Sequence, residues 1–143
     1  MVVEELAQSA FLWWNFTADV TFTMGGADFS ECARSVCVLD FVLMLHAART
    51  MLREDALAVL ELSDRQDEWH FTRDNDSLGL RTRHATREGW RFHSAEGRCQ
   101  ATQFDDLVDQ SLTDALGLIF SLQPSTKRNP YLQGLSRDDF SAA

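Results

Sequence analysis

Lysine is almost missing from this chain: Lys127 is the single lysine among 13 basic residues, and 22 acidic residues bring the net charge to −9. Such a surplus repels phosphate backbones and anionic lipid heads, so neither nucleic acid nor a membrane is an expected partner. The arginine bias fits the coding habit of a GC-rich genome better than a binding role. Long apolar runs are lacking too. The stretch from Val36 to Ala48 contains Asp40 and His46 and falls short of the ~20 residues a bilayer span requires, which leaves it a buried core helix. The three cysteines, Cys32, Cys37 and Cys99, have no metal-type spacing, and reduced, buried thiols are expected. The first residues, Met-Val-Val-Glu-Glu-Leu, carry acids where a secretory signal has basic residues, so the cytoplasm is the expected address. Gly25-Gly26 lacks phosphate-loop or dinucleotide spacing, and neither Ser111 nor Ser121 sits in a G-x-S-x-G setting.

What is present reads as one globular domain over residues 1–143, with 1–10 and 124–143 peripheral. A hydrophobic fraction of 45%, ten Phe and four Trp supply a core. Leu12, Trp14, Phe16, Ala18, Val20, Phe22 and Met24 alternate with polar residues or Trp13, the period of a half-buried strand. Gly25-Gly26 closes that strand with a turn. Ser30 as N-cap predicts a helix from Glu31 to Arg53 lying across the inner face of a sheet. On such a helix Cys32 falls near the positive end of the dipole, where thiolate is favoured, but no protease signature surrounds it.

Ala56 to Leu62 reads as a strand, and Ser63 to Asp67 as the turn after it. Trp69-His70-Phe71 and Trp90-Arg91-Phe92 repeat a Trp-x-Phe pattern, with Leu78, Leu80 and Thr82 forming another strand between them. Arg98 to Thr102 is a further short strand, and Thr102 with Asp105 makes a capping box for a second helix ending before Pro124. The fold class expected is α+β: an antiparallel meander of about five to six strands packed against two helices, in the order β-α-β-β-β-β-(β)-α.

Candidates for chemistry are few. Asp40 and His46 interrupt the apolar helix; a buried carboxylate needs hydrogen bonds or a cation, for which the strand residues Arg81, Arg83 and Arg91 are the candidates, and a pocket acid is the alternative. His70 and His93 hold equivalent places beside the two Trp-x-Phe copies, which sets them near each other on the exposed sheet face as solvent-facing polar residues or, alternatively, a metal or acid–base pair. None of the four histidines has ligand spacing, so no metal and no cofactor is expected. Acids crowd Asp64 to Glu68, Asp74 to Asp76, Asp105 to Asp109 and Asp138-Asp139. Such patches steer basic partners, and Asp74, Asp76, Asp105, Asp106 and Asp109 with Trp69 and Trp90 form the expected binding set.

The layout over residues 12 to 122, with Gly89-Trp90-Arg91-Phe92-His93-Ser94 as its one sequence-level element, resembles small actinobacterial proteins of uncharacterised function. It also looks like bacterial toxin-immunity proteins. That resemblance implies a small acidic domain that blocks a toxin and carries over no catalytic residue. Three readings follow: a module capturing a basic protein; a small-molecule-binding protein or enzyme with a pocket lined by Trp14, Phe16, Trp69, Phe71, Trp90 and Phe92; and a homodimer joined through a sheet face or edge, for which Trp13 on the wet side of the first strand is the motive.

Overall fold

The computed structural model describes residues 17–62 and 65–136. The chain is α+β, and its largest sheet is an antiparallel meander of four strands: β5 (Leu57–Glu61), β6 (Glu68–Asp74), β7 (Ser77–Thr86) and β8 (Gly89–Gln100), in that spatial order. The Arg98 to Thr102 segment is no separate strand. Its first half ends β8 and its second half opens a helix.

The alternation before Gly25 holds, with Phe22 and Met24 buried and Thr21 and Thr23 exposed. A run of thirteen residues exceeds the usual strand and calls for a bend or bulge, and among the described residues its ladder is broken into two short pieces. Thr17–Ala18 (β1) pairs with Val36–Cys37 (β4), and Thr23–Met24 (β2) pairs with Ala27–Asp28 (β3), while Leu12 to Phe16 lie outside the described residues. Gly25 and Gly26 form the two-residue turn with φ of 57° and 86°, the mirror-image conformation tight hairpins need.

The first long helix, α1, runs Val38–Leu52 and not from Glu31. Ser30 caps nothing, because its Oγ accepts from the backbone N–H of Phe22 at 3.0 Å. Ser30–Ala33 close only a 3₁₀ turn, and Ser35 at φ 50° reverses the chain with its N–H donating to Oδ1 of Asp19 at 2.7 Å. Cys32 and Cys37 therefore do not share a helix.

Helix α2, Ala101–Leu122, starts one residue before the expected cap. Gln100 and Gln103 exchange the capping-box hydrogen bonds in place of Thr102 and Asp105. Residues 124–136 are less irregular than their composition implied. A 3₁₀ turn over Pro124–Arg128 leads to α3, Pro130–Leu135, capped by the Asn129 carboxamide at 3.0 and 3.2 Å from the N–H groups of Tyr131 and Leu132. Leu132 is fully buried, so this segment belongs to the core.

The core lies between the sheet and the two long helices. Trp69 is its centre, with Phe41, Phe22 and Phe29 at ring-centroid separations of 5.5, 5.9 and 6.3 Å. Phe71 packs against Phe104 of α2 at 5.6 Å. No helix among the described residues is long and apolar enough to cross a membrane.

Candidate functional site

Strand register decides where each candidate points. The β6–β7 turn is Asn75-Asp76 and the β7–β8 turn is Arg87-Glu88, each two residues long. Each such reversal pairs an odd residue with an even one, so the face toward the helices carries odd residues on β6, even on β7 and odd on β8. Trp69 pairs with Thr82 and faces the helices, whereas Trp90 pairs with Ala85 and faces away from them. The two Trp-x-Phe copies thus lie on opposite faces. Trp69 and Phe71 fill the space beneath the helix; they do not line a pocket there, and fully buried Trp69 cannot be a surface binding residue.

The histidines separate for the same reason. His70 is on the outer face, its Nε2 2.9 Å from Oε1 of Glu68 and its ring edge-on to Phe92. Glu68 also accepts from Nε of Arg83 at 2.6 Å, and these two hydrogen bonds hold its carboxyl below the usual range. His93 is on the inner side. Three residues, His93 to Ala95, bulge opposite Thr82 alone. Nδ1 of His93 lies 2.9 Å from Oγ1 of Thr82 and 3.7 Å from Sγ of Cys32, and its ring stacks on His84 at 4.5 Å. Burial raises the Cys32 thiol above its ordinary value, so it is not the thiolate a nucleophile requires.

His46 is buried between the two long helices. Arg49 Nη2 lies 3.2 Å from His46 Nδ1, and Arg49 Nη1 donates to Asp109 Oδ1 at 2.7 Å and to the Asp105 carbonyl at 3.3 Å. A guanidinium only donates, so Nδ1 accepts and the imidazole is the neutral Nε2–H tautomer. Burial first, and the neighbouring Arg49 second, lower its pKa to about 4. This cluster clamps α1 to α2. Asp109 is therefore a structural partner and not a free binding residue. Asp40 is buried on α1 near the phenol of Tyr131, while Arg81 and Arg83 are committed to Phe92 and Glu68 on the far side of the sheet and Arg91 lies 3.9 Å from Glu88.

Three of the expected binding acids do converge. Asp74 and Asp76 flank Asn75, whose φ of 54° makes the β6–β7 turn, and the Asp76 carbonyl accepts the N–H of Ala101 at 2.7 Å. That bond brings the start of α2 against the hairpin, with Asp105 at the beginning of its second turn. Asp74, Asp76, Arg73 and Asp105 line a depression of about 570 Å³. Glu54, Asp55, Arg53 and Asp76 line an adjoining one of about 790 Å³. Arg73 forms the shared wall, tied by Nε to the Asn75 carbonyl at 2.9 Å. Asp106 is exposed one position further along α2. Among the described residues no group of three His, Cys, Asp or Glu could hold a metal ion.

A second feature escaped the sequence reading. Residues 77–100 contain five arginines and two glutamates, so the β7–β8 hairpin carries +3 and the rest of the chain −12. A tally of charge by segment would have revealed it. β6 leaves the sheet at Glu68, opposite Arg83, and beyond that point the hairpin projects as a two-stranded ribbon with every residue from Ala85 to Phe92 exposed. On its outer face Arg81 lies 4.1 Å from the Phe92 ring centroid and Arg83 lies 4.5 Å from that of Trp90. No protein-family profile matches the chain, and no curated protein or solved structure matches it significantly.

Proposed function

We propose that the protein is a binding module of the immunity or antitoxin type that captures a basic protein partner at the acidic end of the sheet. The observation that carries this reading is the convergence of Asp74, Asp76 and Asp105 with Glu54 and Asp55 around two joined depressions. None of these five side chains forms an ion pair among the described residues, so each can accept from an arginine or lysine of a partner. Charge-assisted hydrogen bonds of that kind are about twice as strong as neutral ones, and their long-range field raises the rate of encounter. Of the groups that could do chemistry, His46 is held neutral in a helix clamp, and the Cys32 thiol is held protonated. The three free cysteines agree with a cytoplasmic address.

The test is capture of the product of the adjacent gene, or of any basic protein, on immobilised wild type and on the triple variant Asp74→Asn, Asp76→Asn, Asp105→Asn. Wild type should retain the partner at low salt and release it as salt rises, and the variant should bind at least ~10-fold more weakly. Equal retention by both proteins, or retention indifferent to salt, defeats the reading.

A further inference from the structure

We propose that the projecting β7–β8 ribbon is a docking arm for a second copy of this chain, the arm of each copy seating on the acidic end of the other. Two complementary features occupy opposite ends of one rigid strand pair. At one end the ribbon is convex, basic and aromatic, with Arg83, Arg87 and Arg91 against the single acid Glu88, and with Trp90 and Phe92 45% and 38% exposed. At the other end the depressions around Asp74, Asp76 and Asp105 are concave and acidic. β7 spans the distance between them in ten residues, roughly 30 Å at strand rise.

A two-stranded ribbon gains little stability from itself, and large exposed aromatics at a projecting position mark a contact surface. The arm is also preset for one. The guanidinium groups of Arg81 and Arg83 stack over Phe92 and Trp90, and Glu68 fixes Arg83 from below. Ordering the rings in advance reduces the entropic cost of docking. When a second copy lies alongside with its strands reversed, both arms meet both acidic ends at once, and the two-fold arrangement closes on itself without leaving a free arm. The net charge of −9 on each copy opposes this only beyond contact range, because salt at physiological strength screens charges past ~8 Å while the arm and the carboxylates touch. The contact stands whether or not a foreign basic partner exists, and such a partner would have to displace the arm.

Sedimentation velocity on the full chain, over a wide concentration range and at low and high salt, tests the proposal with two charge-reversal variants. Arg87→Glu with Arg91→Glu makes both ends acidic; Asp74→Arg with Asp76→Arg makes both ends basic. All four positions are exposed, and circular dichroism checks that each variant keeps its fold. Wild type should dimerise, each variant alone should be monomeric, and an equimolar mixture should restore the dimer. Trp90→Ala should weaken the wild-type dimer at least ~10-fold, as loss of a central aromatic anchor does. A wild type monomeric at every concentration overturns the proposal. So does a dimer that survives either variant, a mixture that fails to pair, or growth into species larger than the dimer.

Discussion

The same three-residue pattern has two fates in this molecule. Trp69 and Phe71 are fully buried beneath α1 and α2, whereas Trp90 and Phe92 stand half-exposed on a ribbon with arginines laid over their rings. Alternation within a strand states that Trp and Phe share a face. It does not state which face. That depends on how many chain reversals separate the copies and on whether a third strand and a helix remain alongside. β6 is flanked by β5 and β7 and roofed by helices, while among the described residues the last of β7 and the first of β8 have no strand partner but each other.

The sharpest way to test this contrast is to truncate both tryptophans. Trp69→Ala removes the ring around which Phe22, Phe29 and Phe41 pack edge-on or tilted and should cost ~3–5 kcal/mol, typical for a large aromatic deleted from a core. In a domain of this size that loss is a large fraction of the stability, so urea unfolding should show the variant's midpoint far below that of wild type. A midpoint near that of wild type would mean that Trp69 is not the centre of the core.

That the two patterns face opposite ways was in fact present in the sequence, in the parity of residue numbers. Asn75-Asp76 and Arg87-Glu88 are both two-residue turns, and two such turns place residues of like parity on one face of the first and third strands. Copies spaced twenty-one apart must then face opposite ways, and so must His70 and His93. The aromatic periodicity alone concealed this, because each copy by itself reads correctly as a strand. The start of α1 was not legible in that way. Ser30 has the chemistry of a cap, and only its hydrogen bond with Phe22, eight residues back, removes it from that role. The acidic end was half legible. Asp74, Asp76 and Asp105 stood out as acids, but the bond between Asp76 and Ala101 that gathers them is a tertiary contact. Asp109 looked like its neighbours, and only the Arg49 clamp distinguishes it.

The clamp between the two long helices adds a dependence on pH. His46 is neutral in the folded state, with a pKa lowered from 6.5 to about 4 by burial and by Arg49, against the opposing pull of Asp109 and the Val108 backbone. The unfolded chain binds the proton first as pH falls. Stability is therefore complete above about 6.5 and is lost progressively down to about 4, by about 3 kcal/mol at 1.4 kcal/mol per pKa unit. Urea midpoints measured across this range should fall with acid in wild type and flatten in His46→Gln. A slope identical in wild type and His46→Gln would assign the acid sensitivity elsewhere.

The β2–β3 hairpin, which lies between Phe22 and Phe29 on Trp69, can be loosened without touching an aromatic ring. Gly25 has φ 57°, and a Cβ there would collide with the backbone carbonyl of Arg98, whereas a Cβ at Gly26 meets nothing. Gly25→Ala should cost ~1–3 kcal/mol through strain and displacement of the β2–β3 turn, and Gly26→Asn, which meets no neighbour and enters the left-handed region more readily than other side chains, should cost less, ~1 kcal/mol at most. Near-UV circular dichroism should show the loss of fixed Trp69 packing in the first variant only. Equal effects at the two glycines would mean that the turn itself, and not its seat against β8, sets the cost.

The smallest effect on stability is expected at Trp90. Its ring is half-exposed, and what it loses on truncation is a guanidinium contact at 4.5 Å, worth ~0.5–1 kcal/mol at an exposed site. Part of that returns, since Arg83 keeps its bond to Glu68 and regains water on its face. Trp90→Ala should therefore shift the urea midpoint by no more than a surface substitution does, ~0.5 kcal/mol, at protein concentrations where wild type is monomeric. At higher concentrations the midpoints should separate, because a dimer adds stability by mass action that only wild type can gain. The two Trp-x-Phe copies are then distinguished by one measurement: truncation in the core costs stability at every concentration, and truncation on the arm costs it only where a second copy is present to bind.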